Sequence, residues 1–120
     1  MLDFEQSSLD ELVQPAVLVT IICETVLKDS VVGLLKNLKA KSYTVAAVEG
    51  EGRFESFREV SSDSELEEET LIVTNVETQV EVRALVSKDL SNVILHALKE
   101  QQKNFAIMAY RQTVEALASD

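Results

Sequence analysis

The sequence predicts an α+β fold of element order β-α-β-β-α-β: one antiparallel sheet with two helices on one face. Three observations carry this. Short runs rich in Val and Ile alternate with two segments whose apolar residues recur at helical spacing. The length of 120 residues suits a single domain. The hydrophobic fraction of 46% supplies one core, which aliphatic side chains must fill because aromatics are only 5%.

The elements follow in order. Residues 8–14 fit a short helix, with Ser8 as its cap and Glu11 three positions on, the spacing of a capping box. Pro15 ends it, because the residue before a proline avoids helical angles. Residues 1–15 are thus an extension ahead of a domain spanning 16–117. "AVLVTIICE" (16–24) is apolar on both faces and rich in β-branched residues, which marks a buried strand. In "VLKDSVVGLLKNLKAK" (26–41), Val31, Leu34, Leu35 and Leu38 share a helix face, and Lys36, Lys39 and Lys41 suit the negative end of the dipole. Gly33 inside this helix costs stability unless it permits close packing. "SYTVAAVEG" (42–50) is a second strand. "TLIVTNVETQVEVRALV" (70–86) is a third, with Val80, Val82, Ala84 and Val86 on one face. Ser87 caps the second helix, 88–102, whose apolar face is Leu90, Val93, Ile94, Ala97 and Leu98. "FAIMAYRQTVEAL" (105–117) is the last strand. The whole is the ferredoxin-like double βαβ arrangement. Between the second and third strands lies a connection of about twenty residues, far beyond a hairpin loop, with 53–70 as its flexible part.

Charge narrows the function. Twenty-one acidic residues against eleven basic ones leave a net charge of -10. That argues against nucleic acid and against anionic lipid, both of which need clustered cations. It favours a basic protein surface as partner. Cys23 is the only cysteine, so no internal disulfide forms, and its apolar neighbours suit a buried, inert thiol. A cytoplasmic protein is expected. No apolar run approaches the roughly 18 residues that cross a bilayer, so no membrane insertion is expected. No nucleophile, base and acid stand together, so no catalytic residues and no enzyme are expected. His96 has no His or Cys cluster to join, and no metal is expected.

The long connection, "VEGEGRFESFREVSSDSELEEETL" (48–71), holds the open questions. Gly50 and Gly52 fit a phosphate cradle, and equally a relaxed exit from strand two. Arg53 and Arg58 fit phosphate forks, or solvated loop charges. The carboxylates Asp63, Glu65, Glu67, Glu68 and Glu69 fit a solvated segment, or a hook for a basic partner. Phe54, Phe57 and Leu66 sharpen the hook, as anchors that order on binding, although they could equally pack on a neighbouring subunit.

Several segments resemble PII-like signalling proteins, trimeric ferredoxin-like modules with a long "T-loop" between strands two and three. Within them, the chain is similar to the subgroup regulating bicarbonate uptake in cyanobacteria. "CETVL" (23–27), "SYTV" (42–45), "GEG" (50–52), "NFAIMAY" (104–110) and "VEAL" (114–117) carry the match. The resemblance implies a homotrimer that binds an adenine nucleotide (ATP, ADP, AMP or cyclic AMP) between subunits, with Thr44, Gly50, Gly52, Arg53, Arg58 and Lys103 as contacts. It implies a protein target, with a membrane transporter as one candidate, met through Phe54, Phe57, Arg58 and Leu66. A nucleotide-independent adaptor of the same fold is the alternative. The chain departs from the family where Lys39 and Ser42 stand in place of glycines, since a Cβ there disfavours a positive φ. Its arginine after Gly-x-Gly is also shifted by one place.

Overall fold

A computed structural model describes residues 11–60 and 68–118, with backbone only for 51–60 and 68–78. Strand β1 (Val13–Glu24) leads through a 3₁₀ turn (Thr25–Leu27) into helix α1 (Lys28–Asn37). Strands β2 (Tyr43–Val60) and β3 (Glu68–Val86) follow, then helix α2 (Lys88–Gln101) and strand β4 (Ile107–Leu117). The sheet order is β2-β3-β1-β4, with every described pairing antiparallel. This is the ferredoxin-like arrangement.

One face of the sheet is the core. Val17, Val19, Ile21 and Cys23 of β1 stand opposite Val86, Ala84, Val82 and Val80 of β3. Val31 and Leu35 of α1 and Ile94 and Leu98 of α2 pack in the same cluster. The period-two pattern of the strands and the 3.6-period pattern of the helices meet there. Burial pushes the Cys23 thiol up, and the Glu24 carboxylate adds to the shift.

Local chemistry sets the helix ends. Ser87 Oγ accepts from the Leu90 N–H at 3.2 Å, the expected cap. At the other helix, Ala40 N–H donates to Leu35 O and Lys39 N–H to Lys36 O, both at 3.0 Å. That pair of bonds is a Schellman closure. It places Lys39 at φ 60°. The expectation that a Cβ keeps this position out of positive φ is therefore corrected: the two closing bonds hold a lysine where glycine is cheaper. Gly33 is the converse case. A Cβ built on it meets nothing within 4 Å, so no close packing requires it.

Two boundaries differ from the sequence reading. Of the helix expected over 8–14, residues 8–10 lie outside the described residues, Glu11 and Leu12 are helical, and Val13, Gln14 and Pro15 already belong to β1, so the helix stops before Pro15 rather than at it. Pro15 pairs with Glu115 of β4, whereas β3 joins only at Val17. A proline is tolerated where one side of the strand lacks a neighbour. The larger difference is between β2 and β3. Pairing does not stop near Gly50 but continues from Gly52↔Val76 to Val60↔Glu68. The expected connection shrinks to residues 61–67, outside the described residues. The paired extension makes an arm, and the chain spans 76 × 30 × 23 Å with a radius of gyration of 19.0 Å. A compact domain of this length has about 14 Å.

Candidate functional site

The open face of the sheet carries the expected Thr44. Register aligns Thr44 of β2 with Arg83 of β3, Arg83 with Thr20 of β1, and Thr20 with Tyr110 of β4. These four make a polar row across all four strands. Apolar positions flank it: Leu85 and Met108 are 42% and 46% exposed, and Tyr110 in the row itself is 46% exposed. Thr44, Arg83, Ser42, Tyr43, Leu18 and Leu85 line a pocket of about 290 Å³. The pocket lies toward an edge of the sheet, because β2 is an outermost strand. Beneath it the Thr20 hydroxyl is fully buried and has no hydrogen-bond partner among the described residues. Arg83 is the functional candidate that sequence reasoning missed. As a charged residue on the wet side of a strand it gave no local signal, and only pairing brings it beside Thr44.

A second group gathers at the opposite end of the sheet, about 20 Å from Thr44 along six residues of β2. There, Gly50 and Glu51 of β2 stand against Glu77 alone, between the pairs Glu49↔Thr78 and Gly52↔Val76. Two residues against one is a β-bulge. The Gln79 Nε2 donates to the Gly50 carbonyl at 3.3 Å. Gln79 pairs with Glu24, the last residue of β1. Glu24 in turn clasps Ala106: its Oε2 accepts from the Ala106 N–H at 2.9 Å, and its own N–H donates to the Ala106 carbonyl at 3.3 Å. Ala106 follows the turn that carries Lys103. So Gly50 and Lys103 share one end of the fold. The Lys103 Nζ donates to Glu100 Oε2 at 2.9 Å, and this holds the Glu100 carboxyl below its ordinary range.

Gly50 has no positive φ, and a Cβ built on it meets nothing within 4 Å. Nothing described inside the subunit demands glycine there, and its outer side is open to a group from outside. Gly52, Arg53 and Arg58 belong to the arm, where only backbone is described. Register puts positions 54 and 58 on one face of the ribbon and 53 and 57 on the other. The expected anchors therefore divide between two faces. Leu66 lies outside the described residues, as do Asp63, Glu65 and Glu67. Among the described residues no three His, Cys, Asp or Glu stand close enough to hold a metal, and no helix is long and apolar enough to cross a membrane.

The family model described as nitrogen regulatory protein P-II matches residues 16–116. No curated protein matches the chain. Solved structures do. A protein of Thermus thermophilus with a provisional PII-like signalling assignment is 25% identical, covering 88% of this chain and 91% of its own, at a TM-score of 0.62. CPII, a nitrogen regulatory PII-like protein from Thiomonas intermedia bound to ADP, AMP and bicarbonate, is 16% identical, covering 90% and 99%, at 0.66. GlnK of B. subtilis is 14% identical, covering 82% and 86%, at 0.50.

Proposed function

The chain belongs to the nitrogen regulatory protein P-II family, and on that premise we propose that it is a homotrimeric regulatory module whose arm docks on a target protein under adenine-nucleotide control. The observation that carries this reading is the Thr44–Arg83 pocket. It sits on an apolar sheet face with no cover among the described residues, toward an edge strand, and has the form of a half-site that a second copy completes. Thr44 and Arg83 would receive the base and ribose end. Because about 20 Å of β2 separates Thr44 from Gly50, more than one nucleotide spans, the phosphates would be received by Gly50, Gly52, Arg53 and Lys103 of a neighbouring copy, since open glycine backbone and cations suit anionic oxygens, and Arg58, farther out on the arm, is left to docking. That CPII of Thiomonas intermedia holds ADP and AMP supports an adenine nucleotide as effector. The arm, with Phe54, Phe57 and Arg58, is the docking element, and Leu66 is the further anchor that the resemblance implies. A membrane transporter is the target in this reading, with bicarbonate uptake the process that the resemblance favours.

The test is a thermal-shift panel with ATP, ADP, AMP and cyclic AMP, each with and without Mg²⁺. A nucleotide at a hundredfold its dissociation constant raises stability by about 2.7 kcal/mol. Thr44→Val and Gly50→Ala should keep the fold and lose the shift. Gly50→Ala is informative because the subunit itself has room for the methyl group. No shift in a protein shown to be trimeric would replace this reading with the nucleotide-independent adaptor. A monomer by sedimentation would remove the half-site altogether.

A further inference from the structure

We infer that Gln79 is a positioning residue: a latch that closes the β-bulge at the root of the arm and sets the arm's direction relative to the sheet. The inference does not depend on the nucleotide reading, because it concerns the protein without ligand.

Three observations converge on this residue. It occupies the last position of β3 that has β1 beside it, since the β1–β3 ladder ends at Glu24↔Gln79. Beyond it β2 and β3 have only each other among the described strands. It lies against the bulge, where β2 carries one residue more than β3. A bulge bends the strand and increases its twist, so its geometry decides where the ribbon beyond it points. Finally, Gln79 is 6% exposed, and its Nε2 donates across the strands to the carbonyl of the bulged Gly50. A bulge leaves a backbone group without its ladder partner, and here a side chain supplies one. Glycine at the bulge offers no Cβ to restrict the turn, so the amide bond is what selects one geometry. The Glu24–Ala106 clasp anchors the same end of the sheet to the turn after α2. The latch therefore works against a rigid base.

The test compares Gln79→Met, which keeps length and removes the donor, with Gln79→Lys, which restores a donor of similar reach. Amide hydrogen exchange is read in the unliganded protein. In Gln79→Met, exchange in residues 50–60 and 68–77 should rise about five- to tenfold, the scale of one buried hydrogen bond. Exchange in residues 17–24 and 80–86 should stay unchanged. Distances between spin labels at Ser56→Cys and Val93→Cys should broaden in the Met variant and narrow again in the Lys variant. Unchanged arm exchange, an equal rise across the sheet, or failure of Lys to restore would overturn the inference. If Gln79→Met does not fold, the wild type decides. Its Gln79 side-chain amide protons should be protected and coupled to the Gly50 carbonyl by NMR; freely exchanging protons would overturn the latch.

Discussion

Strands β2 and β3 run through two environments. From Tyr43 to Glu49 and from Gln79 to Val86 they lie in the four-stranded sheet, and α1 and α2 cover one face. From Gly52 to Val60 and from Glu68 to Val76 the backbone pairing continues, but no third described strand accompanies it. In the body, hydrogen bonds and burial act together: Val82, Ile21, Leu35 and Ile94 are fully inaccessible. In the arm the ladder stands by itself, and a two-stranded ribbon alone is marginal in water. Pairing carries the shape of both regions, while the described buried cluster lies in the body. A regulatory module gains from that division, because a target can reshape the arm without unfolding the body.

The largest effect is expected in the body. Ile21→Ala should lower global stability by about 2–5 kcal/mol, seen as a lower denaturation midpoint with arm and body unfolding together. A midpoint within experimental error of wild type would mean the sheet face is not the core. The strained end of α1 gives the next effect, of opposite sign. Lys39→Gly should stabilise by about 1 kcal/mol by relieving the left-handed conformation, and Gly33→Ala by about 0.5–1 kcal/mol. Loss of stability in Lys39→Gly would mean that the lysine side chain holds that turn.

Excising the arm separates its contribution from that of the body. Replacing residues 53–75 by Asn-Gly should leave the melting temperature within a few degrees of wild type and abolish target docking. A large fall would show that the ribbon supports the body. The smallest effect is a titration. The exposed Glu100 has its carboxyl pKa depressed by Lys103. A depressed carboxyl contributes its stability above the unfolded-state pKa and loses it as pH falls through the folded-state value. Below the ordinary carboxylate range, wild type and Glu100→Gln should therefore converge in melting temperature, and at neutral pH they should differ only slightly.

Much of this molecule was legible in its sequence. The order of elements, the buried parity of Val80, Val82, Ala84 and Val86, and the Ser87 cap all followed from local periodicity and capping chemistry. These are short-range properties, written within a few residues of where they act. The length of β2 was not legible. Its far half carries Arg53, Glu55, Arg58 and Glu59, a composition that reads as loop. Its partner 70–76, however, is rich in β-branched residues, and β1 ends too soon to pair with it. Only the finished sheet shows that residues 52–60 are the remaining strand that can satisfy that backbone. The same holds for the site. Thr44 and Gly50 are close in sequence yet about 20 Å apart on one strand, while Arg83 and Gln79, which meet them, come from a different strand. Sequence by itself determined the buried parity of β3 and the Ser87 start of α2, because those are decided by neighbours along the chain. Tertiary structure decided which polar residues face one another, because cross-strand register is set by pairing between segments that lie far apart along the chain.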